Sequence, residues 1–425
     1  MKKFGMFAAL RHRNFRVFWL GFVTSVSGMQ MFIVVQAWLV YDLTGSALQL
    51  GFLGLARAIP AIALGLVGGV VADKIDQRRL LIATTAGVAS IYLILGTLTI
   101  IGVVQVWHIL GCVFLVGALQ SFDQPSRQAI FPNLIDRQDM MSAVALNSTI
   151  HPGTRIFAPL LAGLLIDYIG VPREGAAVAI FLVAGTYAIF SYMMFRVYLP
   201  PVKRTQGGNG LQDLANGIRY IRTNPIFRIL ILTSFVNAFF GMAHITLMPV
   251  FAQKLLGDAS GSAISVLFSA AGIGGLMGAV IGGSLGGLRK KGWLIIGGAT
   301  SYGGLLISFA FAPWYALALA LEWVASICLQ LFAVTAQSTL HTMVPDEFRG
   351  RVMGVWGMTH TVMQPFGGMA MGGAANAIGA SITVALGGSI VALFGLLGPG
   401  GEKGIRNIGP GSAAPREETS SQSPR

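Results

Sequence analysis

The sequence predicts an all-α integral membrane protein, with twelve transmembrane helices arranged in two pseudo-symmetric halves of six. Three observations predict this fold class. The 425 residues are 54% hydrophobic and only 11% charged, whereas soluble domains carry about 25% charged residues. Apolar runs of about 20 residues, the length that crosses a bilayer, recur along the chain. Between these runs the charged residues are confined to loops, as they are in membrane proteins.

Six helices are predicted in the first half, residues 1–199. The longest apolar run is divided in two because it exceeds the length of a single span. Helix 2 contains Arg57, and helix 5 contains His151, Pro152 and Arg155. The apolar runs are residues 17–41 for helix 1, 46–72 for helix 2, 80–122 for helices 3 and 4 with a turn at 102–107, 139–167 for helix 5, and 175–195 for helix 6.

Residues 200–228 interrupt this pattern and predict a cytoplasmic linker, because they are polar, basic and rich in turn-forming residues. They include an amphipathic piece at 211–222. Six more helices are predicted in residues 229–398, of which helix 12 has only about 18 residues, at the lower limit for a span. The runs are 229–253 for helix 7, 263–287 for helix 8, 292–345 for helices 9 and 10 dividing near 312–313, and 352–398 for helices 11 and 12 dividing near 378–381.

The two ends of the chain differ from the helices. Residues 399–425 are rich in Gly, Pro and Ser and predict a disordered tail. Nearly all of the 29 Lys and Arg residues lie at the termini or in loops that follow even-numbered helices. By the positive-inside rule, both termini and the linker are therefore cytoplasmic. The net charge of +13 then indicates contact with anionic lipid head groups rather than with nucleic acid.

One stretch between helices 2 and 3 is distinctive: Gly69-Val70-Val71-Ala72-Asp73-Lys74, followed by Arg78 and Arg79. A glycine lets two helices approach closely, an acid can face a helix N-terminus, and cations hold the turn on the cytoplasmic side. Residues 133–137 after helix 4 resemble residues 343–347 after helix 10, which suggests a duplicated half. The counterpart of the stretch between helices 2 and 3 is residues 283–291 after helix 8, which keep the cations but have Gly287 in place of Asp73.

On these residues the chain resembles the major facilitator superfamily, from whose loop signature it departs at Asp76 and Gln77. Residues 13–16, 43–47 and 344–352 resemble one subfamily more closely, the transmembrane secretion effectors, to which the enterobactin exporter belongs. The resemblance covers residues 10–397. It implies a monomeric transporter in a bacterial inner membrane, in which two halves rock around a central substrate site.

The resemblance also implies a gating motif on the cytoplasmic side. Asp73 would face the start of helix 11 near residues 351–353, and Arg78 or Arg79 would pair with Asp123. An acid at a helix N-terminus gains about 0.3–1 kcal/mol, so such a contact can open and close as the halves move. The cations could alternatively serve only to set the topology. The predicted gating residues are Gly69, Asp73, Lys74, Arg78, Arg79 and Asp123.

Helix 5 contains Ala158, Pro159, Ala162 and Gly163, a pattern that resembles the helix 5 motif of exporting antiporters. The proline removes one helix hydrogen bond, and the small residues permit close packing at the interface between the halves. The alternative is an ordinary packing kink. The motif therefore favours an exporter without establishing one.

Four ionisable residues inside the predicted spans are candidates for the substrate and proton pathway, because burying such groups is costly. Arg155 shares a helix face with His151 and could bind an anionic or catecholate-like substrate, or pair with a carbonyl or an acid. Arg57 could be an ion-pair partner or a substrate contact. Glu322 could carry protons, or could lie near the extracellular mouth.

The sequence predicts no enzyme, cofactor or metal site. It has no nucleotide-binding lysine motif, and its histidines, acids and cysteines form no metal-binding or nucleophilic pattern. An ion gradient, most simply of protons, is then the expected energy source. The resemblance implies a proton-coupled exporter of a small amphipathic molecule such as a siderophore or drug. A proton-coupled importer and a non-transporting membrane sensor or scaffold remain as alternatives.

Overall fold

The computed structural model describes residues 8–136, 139–169, 171–197, 210–257, 260–285 and 290–408. Within these ranges every regular element is helical. The helices of the first half are α1 (Arg13–Thr44), α2 (Ala47–Lys74), α3 (Gln77–Ile100), α4 (Val106–Ile130), α5 (Met140–Ser148), α6 (Ile150–Tyr168) and α7 (Pro172–Arg196). The remaining helices are α8 (Gly210–Thr223), α9 (Pro225–Val236), α10 (Met248–Leu256), α11 (Gly261–Ser284), α12 (Lys291–Ala310), α13 (Tyr315–Met343), α14 (Asp346–Met358), α15 (Gln364–Ile378), α16 (Ala380–Gly401) and α17 (Lys403–Arg406).

Eleven helical segments of the described chain are long and apolar enough to cross a membrane. They include α16, which has 22 residues and corresponds to the short predicted helix 12. The predicted helix 11 is not among them, because it begins with the charged α14 and is interrupted by a π turn at Thr359–Met363. The all-α membrane fold is confirmed, and the structure is consistent with twelve spans.

Three predicted spans are broken, and each break lies just before a proline. Helix 5 divides into α5 and α6 ahead of Pro152, and the π turn of helix 11 precedes Pro365. Helix 7 consists of α9, a π turn (Asn237–Gly241), a 3-10 segment (Met242–Leu247) and α10, which contains Pro249. Proline has no N–H for the carbonyl four residues earlier, so the backbone there can leave the α conformation.

The bundle has two distinguishable ends. Four turns contain a glycine with positive φ, a conformation that other residues rarely adopt: Gly45, Gly102, Gly257 and Gly379. All four connect an odd-numbered predicted helix to the next, so they lie at one end, here called the glycine-turn end. The opposite end, which carries α8 and the start of α1, is called the linker end.

The two halves pack together through residues without bulky side chains. A Cβ atom on Gly51 of α2 would lie 2.7 Å from the Met369 Cα of α15. A Cβ atom on Gly163 of α6 would lie 2.6 Å from the Gly261 carbonyl oxygen of α11. Such close helix approaches are the main source of packing energy between membrane helices.

The linker contains α8, which confirms the amphipathic piece predicted at 211–222. This helix packs on the start of α14, where the Tyr220 and Phe348 rings stack with centroids 4.3 Å apart. The second half begins at Pro225, earlier than the predicted residue 229, because the Asn224 side chain caps α9 by accepting the Ile226 N–H at 3.0 Å.

The predicted disordered tail is wrong for residues 399–408. Helix α16 continues to Gly401, and α17 follows it. Ile405 and Ile408 are buried in one apolar cluster with Ile226. Burial of these side chains stabilises the ordered conformation, which the glycine-rich composition alone did not predict. Residues 409–425 lie outside the described part of the chain.

A short N-terminal element is anchored at the linker end. The 3-10 helix Ala8–Arg11 leads into α1, and both Arg11 (2.5 Å) and His12 (2.7 Å) bind the buried carboxylate of Asp139, just before α5. The hydrogen bond from His12, with those from Arg11, lowers the pKa of Asp139 below its ordinary value. The anchor is therefore strongest when this carboxylate is ionised.

Candidate functional site

A cavity of about 420 Å³ lies inside the first half, towards the linker end. The start of α1, the end of α4 and the beginning of α6 form its walls. Its apolar lining includes Phe18, Phe22 and Phe131, and its polar lining includes Gln120, Asp123, Gln124, Arg127 and His151. Aromatic rings next to a few polar groups are typical of sites for small amphipathic ligands.

Asp123 and Arg127 form the charged centre of this cavity. They are one turn apart on α4, with Arg127 Nη2 2.6 Å from Asp123 Oδ2. The Arg127 guanidinium lies 4.5 Å from the centre of the Phe22 ring, whose own neighbour is the His151 ring, 6.0 Å away edge to face. The second carboxylate oxygen, Asp123 Oδ1, is buried and accepts no hydrogen bond from the described residues. Arg127 and Asp123 thus line the cavity as an ion pair, and one enclosed carboxylate oxygen of that pair has no donor among the described residues.

The predicted pairing of Asp123 with Arg78 or Arg79 is therefore wrong for this structure. Arg78 instead donates from Nε to the Met194 carbonyl oxygen at 2.9 Å and from Nη2 to that of Phe195 at 2.7 Å. These carbonyls belong to the last turn of α7, where the helix dipole favours a cation, although that of Met194 also accepts the Val197 N–H. Arg127 was missed because helix 4 was predicted to end at residue 122, although its i, i+4 spacing from Asp123 is visible in the sequence.

The rest of the predicted gating motif remains a prediction. Gly69, Asp73 and Lys74 belong to the last turns of α2. Their side chains, with those of residues 66–74 as a whole, lie outside the described residues. The proposed contact of Asp73 with the start of α14 is therefore not tested.

A second polar cluster is buried in the other half. Glu322 is 1% exposed and His244 is 2% exposed, with His244 Nε2 2.9 Å from Glu322 Oε2. The other ring nitrogen, Nδ1, lies 2.7 Å from the Gly241 carbonyl oxygen, and Ser326 Oγ donates to Glu322 Oε1 at 3.2 Å. Glu322 is enclosed two turns inside α13, and whether it carries protons or lies near the extracellular mouth remains a prediction.

The broken helix 7 creates this cluster. His244 lies in the 3-10 segment, and the Gly241 carbonyl is available because the π turn ends there. A Cβ atom on Gly241 would lie 2.6 Å from the Tyr302 ring, so only glycine lets α12 come so close. His244 was not predicted, because its partner is 78 residues away and no local spacing connects them.

Arg57 and Arg155 lie inside spans and form no salt bridge with any residue that the structure describes. Arg57 interacts electrostatically with Tyr187, a residue of the cavity wall. Arg155 lies one turn beyond His151 and interacts electrostatically with Glu322 in the other half. Its two predicted roles, binding a substrate and pairing with a carbonyl or an acid, remain predictions. The two predicted roles of Arg57, ion-pair partner and substrate contact, also remain predictions.

The helix 5 motif lies against α11. Ala158, Ala162 and Gly163 are buried there, together with Pro159. Ser269 of α11 donates to the Ile156 carbonyl oxygen at 2.9 Å, less than one turn before Pro159 in α6. The motif therefore forms part of the contact between the two halves, and its role in export remains a prediction.

The same contact ends in a hydrogen-bonded cap at the glycine-turn end. The two carboxylate oxygens of Asp167, near the end of α6, each accept one N–H of α11, from Gly261 and from Ser262, both at 2.8 Å. A carboxylate at a helix N-terminus satisfies free N–H groups and the helix dipole together. Asp167 thus holds the two halves together at the end opposite the cavity.

Among the described residues, no group of three or more His, Cys, Asp or Glu side chains could hold a metal ion. The polar groups inside the spans are instead arranged in two separate sites, one around a cavity and one enclosed. A bundle of apolar helices that encloses charged groups within the membrane and carries a linker at mid-chain defines a multi-pass transporter of the major facilitator superfamily. More narrowly, the chain belongs to the transmembrane secretion effector family, whose model matches residues 4–398.

Relatives and solved structures agree with this assignment. The chain is 25% identical to the staphyloferrin A transporter of Staphylococcus aureus over 245 residues, which are 57% of this chain and 60% of that transporter. It is 25% identical to the enterobactin exporter EntS of Shigella boydii over 375 residues, 85% of each chain.

Two solved transporters share the fold. A bacterial homologue of the human lysosomal transporter Spinster, in an inward-facing and unoccupied conformation, superposes with a TM-score of 0.73 at 15% identity, covering 96% of this chain and 99% of that one. The nucleoside transporter NupG superposes with a TM-score of 0.71 at 13% identity, covering 90% and 97%. The fold class is thereby confirmed.

Proposed function

We propose that this transporter is a proton-coupled exporter of a small, amphipathic, hydroxyl-bearing anion of the siderophore class. It would work as a monomer in a bacterial inner membrane, with both termini and the linker in the cytoplasm. One observation carries the substrate class: the cavity places the Arg127 guanidinium beside the unpartnered acceptor Asp123 Oδ1.

The chemistry of the cavity supports this substrate class. A buried acceptor without a donor costs about 1–3 kcal/mol, which a hydroxyl group of a ligand would recover. The neighbouring Arg127 and the more distant Arg57 favour an anion, and the phenylalanine rings favour a flat apolar part. Phenolic acids and catecholates combine these three properties. The names of the relatives, an enterobactin exporter and a staphyloferrin A transporter, point to the same class.

The conformation is compatible with export, and the name of one relative, an enterobactin exporter, favours that direction. Asp167 and the close contact of α6 with α11 close the glycine-turn end, whereas the cavity lies towards the linker end. With the linker in the cytoplasm, this is the state in which an exporter takes up its substrate. Glu322 is the candidate proton carrier, since it is the one enclosed acid of the second half's described spans that a proton gradient could load.

Metabolite profiling of a deletion strain tests cargo and direction together. We expect an iron-chelating anion to accumulate in the cytoplasm and to be depleted from the medium, and re-expression of the intact chain to restore the medium level. Re-expression of the Arg127→Gln variant should not restore it. A matched control is Arg173→Gln, which removes an exposed cation that pairs with Asp42 at the glycine-turn end.

The opposite result would overturn the proposal. A compound that is depleted from the cytoplasm and left in the medium would make the protein an importer. Unchanged metabolites in both compartments would favour a sensor or scaffold. Proton coupling is tested separately in proteoliposomes, with enterobactin as the probe: its flux should respond to an imposed pH gradient while the membrane potential is clamped.

A further inference from the structure

We infer that α17 and the start of α12 together form a binding site for the head group of an anionic phospholipid. Four cations at the linker end of the second half form this site, here called the basic patch: Lys290, Lys291, Lys403 and Arg406. The inference goes beyond the proposed transport function, because it concerns an outer surface rather than the charged groups inside the spans. It follows from a contact between two helices, a set of unpaired cations and an exposed tryptophan.

A close backbone contact brings the two parts of the basic patch together. A Cβ atom on Gly292, in the first turn of α12, would collide with the Ile405 carbonyl oxygen of α17 and would lie 3.1 Å from the Arg406 Cα. Only glycine therefore lets α17 lie so close to α12. Because Lys291 directly precedes Gly292, the cations of α12 and those of α17 lie on either side of one contact.

The cations of the basic patch are not neutralised by acids of the described chain. None of the four takes part in a salt bridge with any residue that the structure describes. Glu402, the acid next to Lys403 in the chain, accepts the Gly404 N–H and caps α17. Arg406 Nη2 donates to the Gly401 carbonyl oxygen at 3.2 Å, which orients the guanidinium and leaves its charge uncompensated. The basic patch thus lacks an anion.

Trp293 indicates that the basic patch lies at the level of the lipid head groups. Its side chain is in the first turn of α12 and is 55% exposed. Exposed tryptophans of membrane proteins concentrate at the boundary between hydrocarbon and head groups. Lys290 and Lys291 precede Trp293 by three and two residues, so they lie about 3–5 Å further from the bilayer centre. This is the level at which lipid phosphates lie.

The apolar surroundings favour a lipid over a soluble anion as the ligand. Leu396 and Leu397, in the last two turns of α16, are 54% and 63% exposed just before α17. A phospholipid with its phosphate on the basic patch can cover these leucines and Trp293 with its acyl chains, which a soluble anion cannot do. Each cation near the surface strengthens the binding of an anionic lipid about fivefold.

Fluorescence quenching in vesicles tests the inference at the basic patch itself. The protein is reconstituted in phosphatidylcholine with a minor fraction of phosphatidylglycerol, and one of the two lipids carries brominated acyl chains, which quench tryptophan on contact. We expect brominated phosphatidylglycerol to quench more than the same fraction of brominated phosphatidylcholine. This excess should disappear in Trp293→Phe. It should persist in the matched control Trp314→Phe, since Trp314 is 61% exposed at the glycine-turn end.

Two double variants test the two parts of the basic patch. Lys290→Gln with Lys291→Gln removes the cations of α12, and Lys403→Gln with Arg406→Gln removes those of α17. Either double variant should reduce the affinity for phosphatidylglycerol, measured by titrating its fraction in the vesicles, roughly 20-fold. The α12 variant leaves the tail unchanged, so it keeps the test decisive if the α17 variant fails to fold.

The matched control is Arg13→Gln with Arg16→Gln, which removes two exposed cations from the start of α1, at the linker end of the first half. It should leave the excess quenching unchanged. The inference is overturned if there is no excess, if the excess survives in a folded double variant of the basic patch, or if the control loses it equally. Displacement of the lipid by inorganic phosphate would also overturn it, because the basic patch would then bind a soluble anion.

Discussion

The two halves of this transporter treat their buried acids differently. Asp123 in the first half keeps one oxygen free and lines a cavity, and its partner Arg127 comes from the same helix. Glu322 in the second half has both oxygens hydrogen-bonded and is enclosed, and its partner His244 comes from a broken helix. The comparison shows that two halves with similar folds can hold different kinds of site. An acid with an unbonded oxygen that lines a cavity suits the binding of a ligand. An enclosed acid with both oxygens hydrogen-bonded suits only the binding of a proton.

The largest expected effect comes from breaking the pair in the first half. Arg127→Met would leave the buried carboxylate of Asp123 without its partner, and removing one member of a buried pair costs about 3–5 kcal/mol. Because 22% of the Arg127 side chain is exposed, we expect the lower end of that range, about 3 kcal/mol. Chemical unfolding in detergent measures this loss.

The matched control for Arg127→Met removes both charges. Asp123→Leu combined with Arg127→Met should recover most of the lost stability, since no unpaired charge remains. If the double variant is as unstable as the single one, the pairing does not explain the effect.

The two halves can act together only if they pack closely, as α6 does on α11. In Gly163→Val the new Cβ atom would lie 2.6 Å from the Gly261 carbonyl oxygen, and a backbone atom cannot move aside as a side chain can. We expect the closed glycine-turn end to be destabilised by about 2 kcal/mol. A cysteine introduced at Ser262 should then react faster with a membrane-impermeant maleimide. Gly275→Val, at a position on α11 with open space around its Cβ, should not change this rate.

A smaller effect is expected from the cap at the same contact. Asp167→Asn keeps one acceptor oxygen but loses the charge that faces the N-terminus of α11, a loss of about 1 kcal/mol. This should shift the population of the closed state about fivefold. The Ser262 reaction measures the shift, with Asp42→Asn as the control, since Asp42 pairs with Arg173 within the first half. Equal rates in the two variants would contradict a role for the cap.

The smallest effect concerns Asp139, a third buried acid, which lies outside the spans and shares the first half with Asp123. Its pKa is lowered, first by the His12 hydrogen bond, so its contribution to stability is present above the ordinary value of 3.8 and is lost as pH falls through the lowered value. Limited proteolysis should therefore cleave the N-terminal segment faster only under strongly acidic conditions. In Asp139→Asn the cleavage rate should no longer depend on pH there. An acidic pH dependence that persists in Asp139→Asn would refute this assignment.

Hydropathy and the placement of cations were sufficient to predict the membrane fold, because the bilayer imposes one length and one polarity on every span. The breaks before Pro152, Pro249 and Pro365 were less predictable, since Pro60 and Pro159 lie inside continuous helices. A proline permits a break, and tertiary contacts decide whether one forms.

The candidate sites could be predicted only in part. Glu322, His151 and Arg155 were visible as costly residues inside apolar runs. His244 was not, since its importance arises from a contact with Glu322 across two helices that only the fold brings together. The tail was mispredicted because its glycine-rich composition outweighed Ile405 and Ile408 in a sequence-based estimate of order.

The buried tail residues have a practical consequence for handling the protein. Ile405 packs so closely on Gly292 that a Cβ atom there could not be accommodated, and with Ile408 it covers the linker-end surface of the second half. An affinity tag or a fluorescent fusion inserted after Gly401 would expose this apolar surface and reduce the yield of folded protein. The same tag placed beyond residue 408 would leave it covered, so purification handles belong there.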